Sequence, residues 1–232
     1  MKKNKCVPIL VCLCFFAFVR ATHAATLEEQ SELKKIYEFH VSRPSDIQDH
    51  IPMLRDLARD CSSVVEIGIR SMVSTWGILQ GLAESSGELK FYLGVDLLVP
   101  PEDSLNLAKR LSKAHEIDYV FLQANDLEIC IPPVDMLFID SLHTYCHLTY
   151  ELESFAPMVQ KYIALHDTSD PWGNRDEVYY KGDYSEYPAH YNRTKKGLWP
   201  AVEDFLLKHP EWELLDRHFN CHGFTILQRV EE

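Results

Sequence analysis

Short, continuously apolar segments alternate with amphipathic segments along this chain, and the alternation restricts the fold more than any other sequence feature. Strands that are apolar on both faces are buried on both faces, which occurs when helices cover a parallel sheet. The sequence therefore predicts an α/β fold with a doubly wound, mostly parallel sheet. The predicted strands are residues 64–68, 91–95, 119–123, 134–139 and 162–165.

Helices are predicted wherever apolar residues recur at intervals of three and four. The C-terminal part differs, because a helix over 198–208 is followed by two strands, 212–215 and 223–227, with a short turn between them. These strands form an antiparallel hairpin, which closes the sheet at seven strands. The other predicted helices are residues 27–39, 46–58, 73–83, 103–114 and 145–159.

The first 24 residues have the layout of a secretory signal peptide. Residues 1–5 are basic, 6–19 are apolar, and 21–25 are mostly small, which predicts cleavage after Ala24 and export. An apolar run of 14 residues is short for a membrane helix, which needs about 20. A short uncleaved anchor or an apolar N-terminal helix is the alternative. Residues 25–60 then form N-terminal helices, and 61–232 form the main domain.

Removal of a signal peptide would leave four cysteines, and an oxidising compartment permits them to pair. Their spacing contains no CxxC pattern, so neither zinc nor a particular disulfide connectivity is predicted. Buried free thiols are the alternative. The four are Cys61, Cys130, Cys146 and Cys221.

The formal net charge of −12 bears on the partners. A strongly acidic protein repels the phosphate backbone, so nucleic acid is not an expected partner. A small molecule is the expected acceptor, no stable membrane span remains once the signal is removed, and a homo-oligomer is left open.

Polar residues follow all five central strands at the point where each strand ends. Ligands of doubly wound sheets bind beyond the carboxyl ends of the strands. A single carboxylate at such a position usually caps a helix, but five placements together predict one binding site. These residues are Glu66 to Gly68, Asp96, Asn125 with Asp126, Asp140, and His166 with Asp167.

The first two strand ends suit an adenosine ligand. Gly68 lets the backbone approach a ligand, and Ser71, Ser74 and Thr75 lie at the mouth of the next helix. Asp96 is placed to accept hydrogen bonds from ribose hydroxyls. Because GxGxxG is absent after Gly68, a dinucleotide is disfavoured. A tight turn at Gly68 and a cap or turn role for Asp96 are the alternatives.

The last two strand ends suit a metal and a base. The carboxylates of Asp140 and Asp167 come from neighbouring strands and converge, and such hard ligands suit Mg²⁺, Mn²⁺ or Ca²⁺. His143 is predicted to be a general base, whereas His166 is left as a ligand, a substrate contact or a packing residue. Farther along, Tyr145 is predicted to line the pocket and His147 to be exposed.

Residues 169–196 form a long connection without apolar periodicity that contains six aromatic residues. Connections of this length are usually functional or disordered. The segment is predicted to be an active-site lid, with a disordered insertion as the alternative.

Four segments together resemble class I S-adenosylmethionine (SAM)-dependent methyltransferases. They are residues 64–79, 92–97, 134–145 and 162–168. The last two resemble the metal-dependent subgroup that includes macrocin-type sugar O-methyltransferases and cephalosporin-hydroxylase-like proteins. The resemblance implies a Rossmann-like methyltransferase fold, SAM as cofactor, and O-methylation of a small hydroxylated acceptor such as a sugar.

The resemblance also implies a role for each strand-end residue. Glu66 and Gly68 would line the methionine part of the cofactor with Ser74 nearby, Asp96 would hold the ribose, and Asn125 and Asp126 would lie near the adenine. Asp140 and Asp167 would hold a divalent metal, Mg²⁺ by preference, with His166 as a weaker third ligand. His143 would be the general base.

Met72 stands where the family often has a second glycine. A side chain there would narrow a cofactor pocket if it pointed inward. Together with the export signal and the aromatic segment, Met72 keeps open an exported, non-catalytic binding protein on a methyltransferase fold. Another nucleotide-using enzyme, such as a dehydrogenase, is a separate alternative.

Overall fold

Buried aliphatic strands form the centre of the computed structural model of this protein, which describes residues 25–177, 185 and 187–230. The predicted signal segment 1–24 lies outside the described residues. The strands are β1 (Ser63–Ile67), β2 (Lys90–Asp96), β3 (Ile117–Gln123), β4 (Val134–Ile139), β5 (Val159–His166), β6 (Trp212–His218) and β7 (Phe224–Arg229). The helices are α1 (Leu27–Ser42), α2 (Ile51–Arg59), α3 (Val73–Glu84), α4 (Glu102–Ala114), α5 (Tyr145–Phe155) and α6 (Leu198–Lys208).

The seven strands form one sheet in the order β3-β2-β1-β4-β5-β7-β6. β1 to β5 run parallel, whereas β7 is antiparallel to both β5 and β6. The predicted sheet and its terminal hairpin are therefore confirmed. The chain leaves β1 toward β2 on one side and reaches β4 on the other, so the topological switch point, where such sheets bind ligands, lies between β1 and β4.

Helices cover both faces of the sheet, as a doubly wound fold requires. Alternate residues of β1 point to opposite faces, so Val64 packs with α1 to α4, whereas Val65 and Ile67 pack with α5 and α6. The two hydrophobic layers hold the strand ends in place from both sides.

Two predicted boundaries shift for local reasons. The helix predicted to reach residue 159 ends at Phe155 and continues as a 3₁₀ turn through Pro157, because proline has no N–H to donate within a helix. β5 consequently begins at Val159. The helix predicted over 46–58 begins as the 3₁₀ turn Gln48–His50, followed by α2.

No helix among the described residues is long and apolar enough to span a membrane. No disulfide bond joins the four cysteines of the described part of the chain. The alternative of buried thiols fits Cys61 and Cys146, whereas Cys221 is half-buried and Cys130 is exposed.

Candidate active site

Gly68 ends β1 in a conformation that only glycine adopts easily. Its φ is 86°, and a Cβ atom at this position would overlap the main-chain carbonyl of Asp140. The amide of Gly68 donates to the carbonyl of Val95 at 2.9 Å, and the amide of Asp140 donates to the carbonyl of Ile67 at 2.8 Å. The ends of β1, β2 and β4 are thus held together, and the absence of a side chain makes this close approach feasible.

Asp96 organises the loop that follows Gly68. Its Oδ2 accepts hydrogen bonds from the amides of Ile69 and Arg70, each at 2.8 Å, and its Oδ1 accepts one from the amide of Leu98 at 2.8 Å. Because a carboxylate oxygen has two lone pairs, Oδ1 keeps the capacity to accept another hydrogen bond. The predicted ribose acceptor therefore also shapes the cavity wall.

A cavity of about 380 Å³ opens at the carboxyl ends of β1, β2 and β4. This size falls in the range of small-molecule pockets. Its wall includes four of the six predicted cofactor-binding residues, namely Gly68, Asp96, Asn125 and Asp126, and also Arg70, Leu97, Leu127, Asp140, Ser141, Leu142, His147 and Tyr187.

Glu66 and Ser74 were expected to line the methionine part of a cofactor, but both lie outside the lining of this cavity. The Glu66 side chain is fully buried and accepts hydrogen bonds from the hydroxyls of Ser74, Thr75 and Tyr92. Burial raises the pKa of Glu66 to about 7, although the three hydroxyls oppose this rise. The alternation of β1 directs Glu66 toward α3, so the two residues fasten the strand to the helix.

Met72 does not narrow the cavity. Its φ of 67° lies in the left-handed region, and its side chain is completely buried in the hydrophobic layer formed with α1 to α4. Met72 therefore no longer supports a non-catalytic protein, and the export signal and the aromatic segment remain as its motivation.

The predicted metal ligands and the predicted base converge at the ends of β4 and β5. His143 Nε2 lies 2.9 Å from Asp167 Oδ2 and 3.5 Å from Asp140 Oδ1. His166 Nδ1 lies 3.5 Å from Asp140 Oδ1 and 3.4 Å from Asp167 Oδ2. Ligand atoms of Asp140, His166 and Asp167 all lie within 4.8 Å of one another, so these three residues can share one cation.

The acids and imidazoles of this cluster shift one another's pKa. Burial alone would lower the pKa of His143 and His166, but Asp140 and Asp167 outweigh it and raise the values to about 9 and about 10. Burial would likewise raise the pKa of the two carboxyls, but the imidazoles hold both below the usual value. The two acids thus favour the charged form of the imidazoles, and the imidazoles favour the ionised form of the acids.

Three further residues join this cluster: His222 was not predicted, whereas Trp172 and Glu177 belong to the predicted lid. His222 Nδ1, in the turn between β6 and β7, lies 3.1 Å from Asp167 Oδ1. The ring of Trp172 stacks on His143 with centroids 5.8 Å apart, and Glu177 Oε2 lies 3.6 Å from His143 Nδ1. The sequence offers no signal for His222, because its position depends on the pairing of β7 with β5.

Two residues of α5 differ from expectation. Tyr145 was expected in the pocket, but its hydroxyl donates to Asp204 Oδ2 of α6 at 2.6 Å, and it lies outside the cavity lining. His147 was expected to be exposed, but it is 5% exposed. Its Nε2 lies 2.7 Å from Asp126 Oδ2, and its Nδ1 lies 2.9 Å from the hydroxyl of Tyr187.

The predicted lid contacts the site at two described points, Trp172 over His143 and Tyr187 in the cavity wall. Residues 178–184 and 186 of this segment lie outside the described residues. Closure of the segment over a ligand remains a prediction.

No known family model matches the chain, and no curated protein matches its sequence. Solved structures do share the fold. An O-methyltransferase from Bacillus cereus in complex with S-adenosylhomocysteine (SAH) is 13% identical, with a TM-score of 0.50 over 88% of this chain and 92% of that one. An SAH-bound methyltransferase from Podospora anserina is 14% identical, with a TM-score of 0.51 over 86% and 88%.

A Corynebacterium glutamicum protein is 16% identical, with a TM-score of 0.51 over 89% of this chain and 92% of that one. At sequence identities this low, the structural similarity establishes the fold alone. It confirms the Rossmann-like methyltransferase fold that the sequence predicted.

Proposed function

We propose that this protein is a SAM-dependent methyltransferase that acts on a hydroxyl oxygen of a small acceptor. One observation carries the proposal: Asp140 belongs both to the wall of the cavity and to the carboxylate–imidazole cluster. A methyl donor in the cavity would therefore adjoin the groups that handle an acceptor hydroxyl. The shared fold with two SAH-bound methyltransferases supports the assignment.

The cavity wall supplies groups suited to the adenosine part of the cofactor. Gly68 admits a ligand close to the backbone, Asp96 Oδ1 retains acceptor capacity for a ribose hydroxyl, and Asn125 and Asp126 line the region assigned to adenine. Arg70 also lines the cavity, but its guanidinium is paired with Asp46 Oδ2 at 2.9 Å, so no free cation is assigned to the carboxylate of the methionine part.

The donor set of the cluster fits a divalent metal. His166 is almost completely buried, and its Nδ1 has no hydrogen-bond partner among the described residues although it faces two carboxylates. Asp140, Asp167 and His166 would hold the ion. When bound, such an ion supplies Lewis acidity that favours the ionised form of an acceptor hydroxyl.

His143 would accept the proton of the acceptor hydroxyl. The imidazole must first be neutral, and in the cation-free cluster the two aspartates hold its pKa at about 9. If Asp140 and Asp167 held a cation, they would support the imidazolium less, and the pKa of His143 would lie closer to neutrality.

The transfer itself balances without an external oxidant or reductant. The acceptor oxygen attacks the sulfonium methyl carbon in line, the S–CH₃ bond breaks, and the hydroxyl proton passes to His143. The products are a methyl ether and SAH. We also propose a sugar as the acceptor class and, from the signal-peptide layout of residues 1–24, an exported protein.

Isothermal titration with SAM and SAH, with and without Mg²⁺, tests the proposal. We expect the wild-type protein to bind both ligands. Asp96→Ala should bind them at least tenfold more weakly, because the substitution removes a ribose acceptor and the hydrogen bonds that hold the loop. Glu213→Ala, an exposed position on the edge strand β6, is the matched control. Absence of binding under all conditions would refute the proposal, whereas binding without transfer to any acceptor would favour a non-catalytic protein.

A further inference from the structure

A second group of metal-ligating side chains lies beside the part of the cavity lined by Asn125 and Asp126. His147 and Glu151 are one helical turn apart on α5, so they point to the same side of the helix. Asp126 reaches them from the 3₁₀ turn after β3. His147 Nε2 lies 2.7 Å from Asp126 Oδ2 and 3.7 Å from Glu151 Oε1. All three ligand atoms lie within 4.8 Å of one another.

The carboxylate of Glu151 is incompletely satisfied. Its side chain is 0% exposed, and Oε1 accepts a hydrogen bond from the Ser141 hydroxyl at 2.7 Å. The other oxygen, Oε2, is buried without a hydrogen-bond partner among the described residues. A buried carboxylate oxygen that has lost water and gained no partner is costly, so the cluster requires a cation or an added proton.

The second nitrogen of His147 is already held in position. Its Nδ1 lies 2.9 Å from the hydroxyl of Tyr187, which fixes the ring with Nε2 directed at the two carboxylates. Metal-bound histidines generally have their other ring nitrogen oriented by such a hydrogen bond. The hydrogen bond to Tyr187 therefore favours a role for His147 as a metal ligand over a role in a buried ion pair alone.

We propose that Asp126, His147 and Glu151 form a second divalent-cation site, separate from Asp140, His166 and Asp167, and that it binds Zn²⁺. One imidazole and two carboxylates suit Zn²⁺ better than Mg²⁺, which prefers oxygen ligands and retained waters. Three protein ligands leave a fourth position vacant. Asp126 and His147 also line the cavity, so a small ligand there would be near the ion.

Metal content of the full-length protein tests the site without reference to activity. After removal of metals with a chelator and equilibration with Zn²⁺, Glu151→Gln should bind one Zn²⁺ per chain fewer than wild type. The change is nearly isosteric and keeps an acceptor for Ser141. Glu153→Gln, on the same helix but paired with Lys208 and His209, is the matched control and should match wild type.

Asp140→Asn changes a ligand of the first site only, so it should still bind the Zn²⁺ ion that Glu151→Gln loses. This difference distinguishes the two sites. Equal Zn²⁺ content in Glu151→Gln and wild type would overturn the proposal. The buried carboxylate of Glu151 would then be neutralised by a proton and not by a cation. Circular dichroism in the presence of chelator checks that each variant is folded.

Tyr187→Phe provides an independent measurement, because it removes only the hydroxyl that orients His147. We expect roughly ten- to a hundredfold weaker Zn²⁺ binding, with a changed absorption spectrum when Co²⁺ replaces Zn²⁺. Unchanged affinity and spectrum would contradict the site. Since neither readout uses methyl transfer, failure of this proposal and failure of the methyltransferase proposal are distinguishable.

Discussion

His143 is held by two carboxylates at once, and this contact determines how it can act. Its Nε2 lies 2.9 Å from Asp167 and 3.5 Å from Asp140, and these acids raise its pKa to about 9. An imidazolium cannot accept a proton, so base catalysis by His143 depends on the charge that the aspartates carry.

The variant His143→Ala should lower methyl transfer by roughly 10²- to 10⁴-fold, the usual contribution of a general base. Affinity for SAH should stay within about threefold of wild type, because His143 lies outside the cavity lining. Turnover assays and calorimetry on the same preparation measure the two effects, with His209→Ala as control, because His209 contacts Glu153 and Glu211 outside the site. Equal loss of turnover and binding would show that His143 is structural.

The sequence predicted residues whose positions follow from strand order and missed those that depend on loops. Asp140 and Asp167 converge because parallel strands end at the same edge of the sheet. Glu66 also ends a strand, but the alternation of β1 turns its side chain away from the cavity. His147 was wrongly expected to be exposed, since helical periodicity cannot reveal that Asp126 and Tyr187 cover it.

At the scale of elements, the site depends on how tightly neighbouring strand ends approach. The ends of β1 and β4 touch at Gly68, where the amide of Asp140 bonds to Ile67 and the carbonyl of Asp140 occupies the space of a Cβ atom. The turn between β6 and β7 is anchored in a similar way, since the amide of Ser169 donates to the carbonyl of His222 at 2.7 Å. Such contacts arise only after the sheet has formed, so no local pattern could predict them.

Gly68→Ala should disrupt the contact between β1 and β4. The new methyl group overlaps the Asp140 carbonyl, and the φ of 86° is unfavourable for alanine. Strain of this kind costs about 1–3 kcal/mol, and the shift of Asp140 should weaken binding of both SAH and metal. Denaturant unfolding and calorimetry measure these effects.

Gly87→Ala is the comparison for that variant. Its Cβ would meet the Ser62 side chain, which can rotate aside, and its φ is not in the left-handed region. If Gly68→Ala kept wild-type stability and SAH affinity, the close approach of the two strands would not be required for the site.

At the scale of the whole molecule, a buried ionisable group couples overall stability to pH. Glu66 is fully buried between β1 and α3, and burial raises its pKa from 4.5 to about 7. A folded-state pKa above the unfolded value means that the folded protein binds the proton more tightly. The stabilisation is therefore complete below about pH 4.5 and is lost as pH rises through about 7.

Glu66→Gln should remove this part of the pH dependence, because glutamine is nearly isosteric and stays neutral. Each unit of pKa difference is equivalent to about 1.4 kcal/mol, so the variant should gain about 3 kcal/mol relative to wild type between about pH 4 and pH 8.5. Urea unfolding at several pH values measures the difference, and the exposed Glu213→Gln is the control. Subtracting the variant from wild type also cancels the titration of His143 and His166, which both proteins share. A difference that did not change with pH would mean that Glu66 is ionised in the folded protein, stabilised by its three hydroxyl donors against the cost of burial.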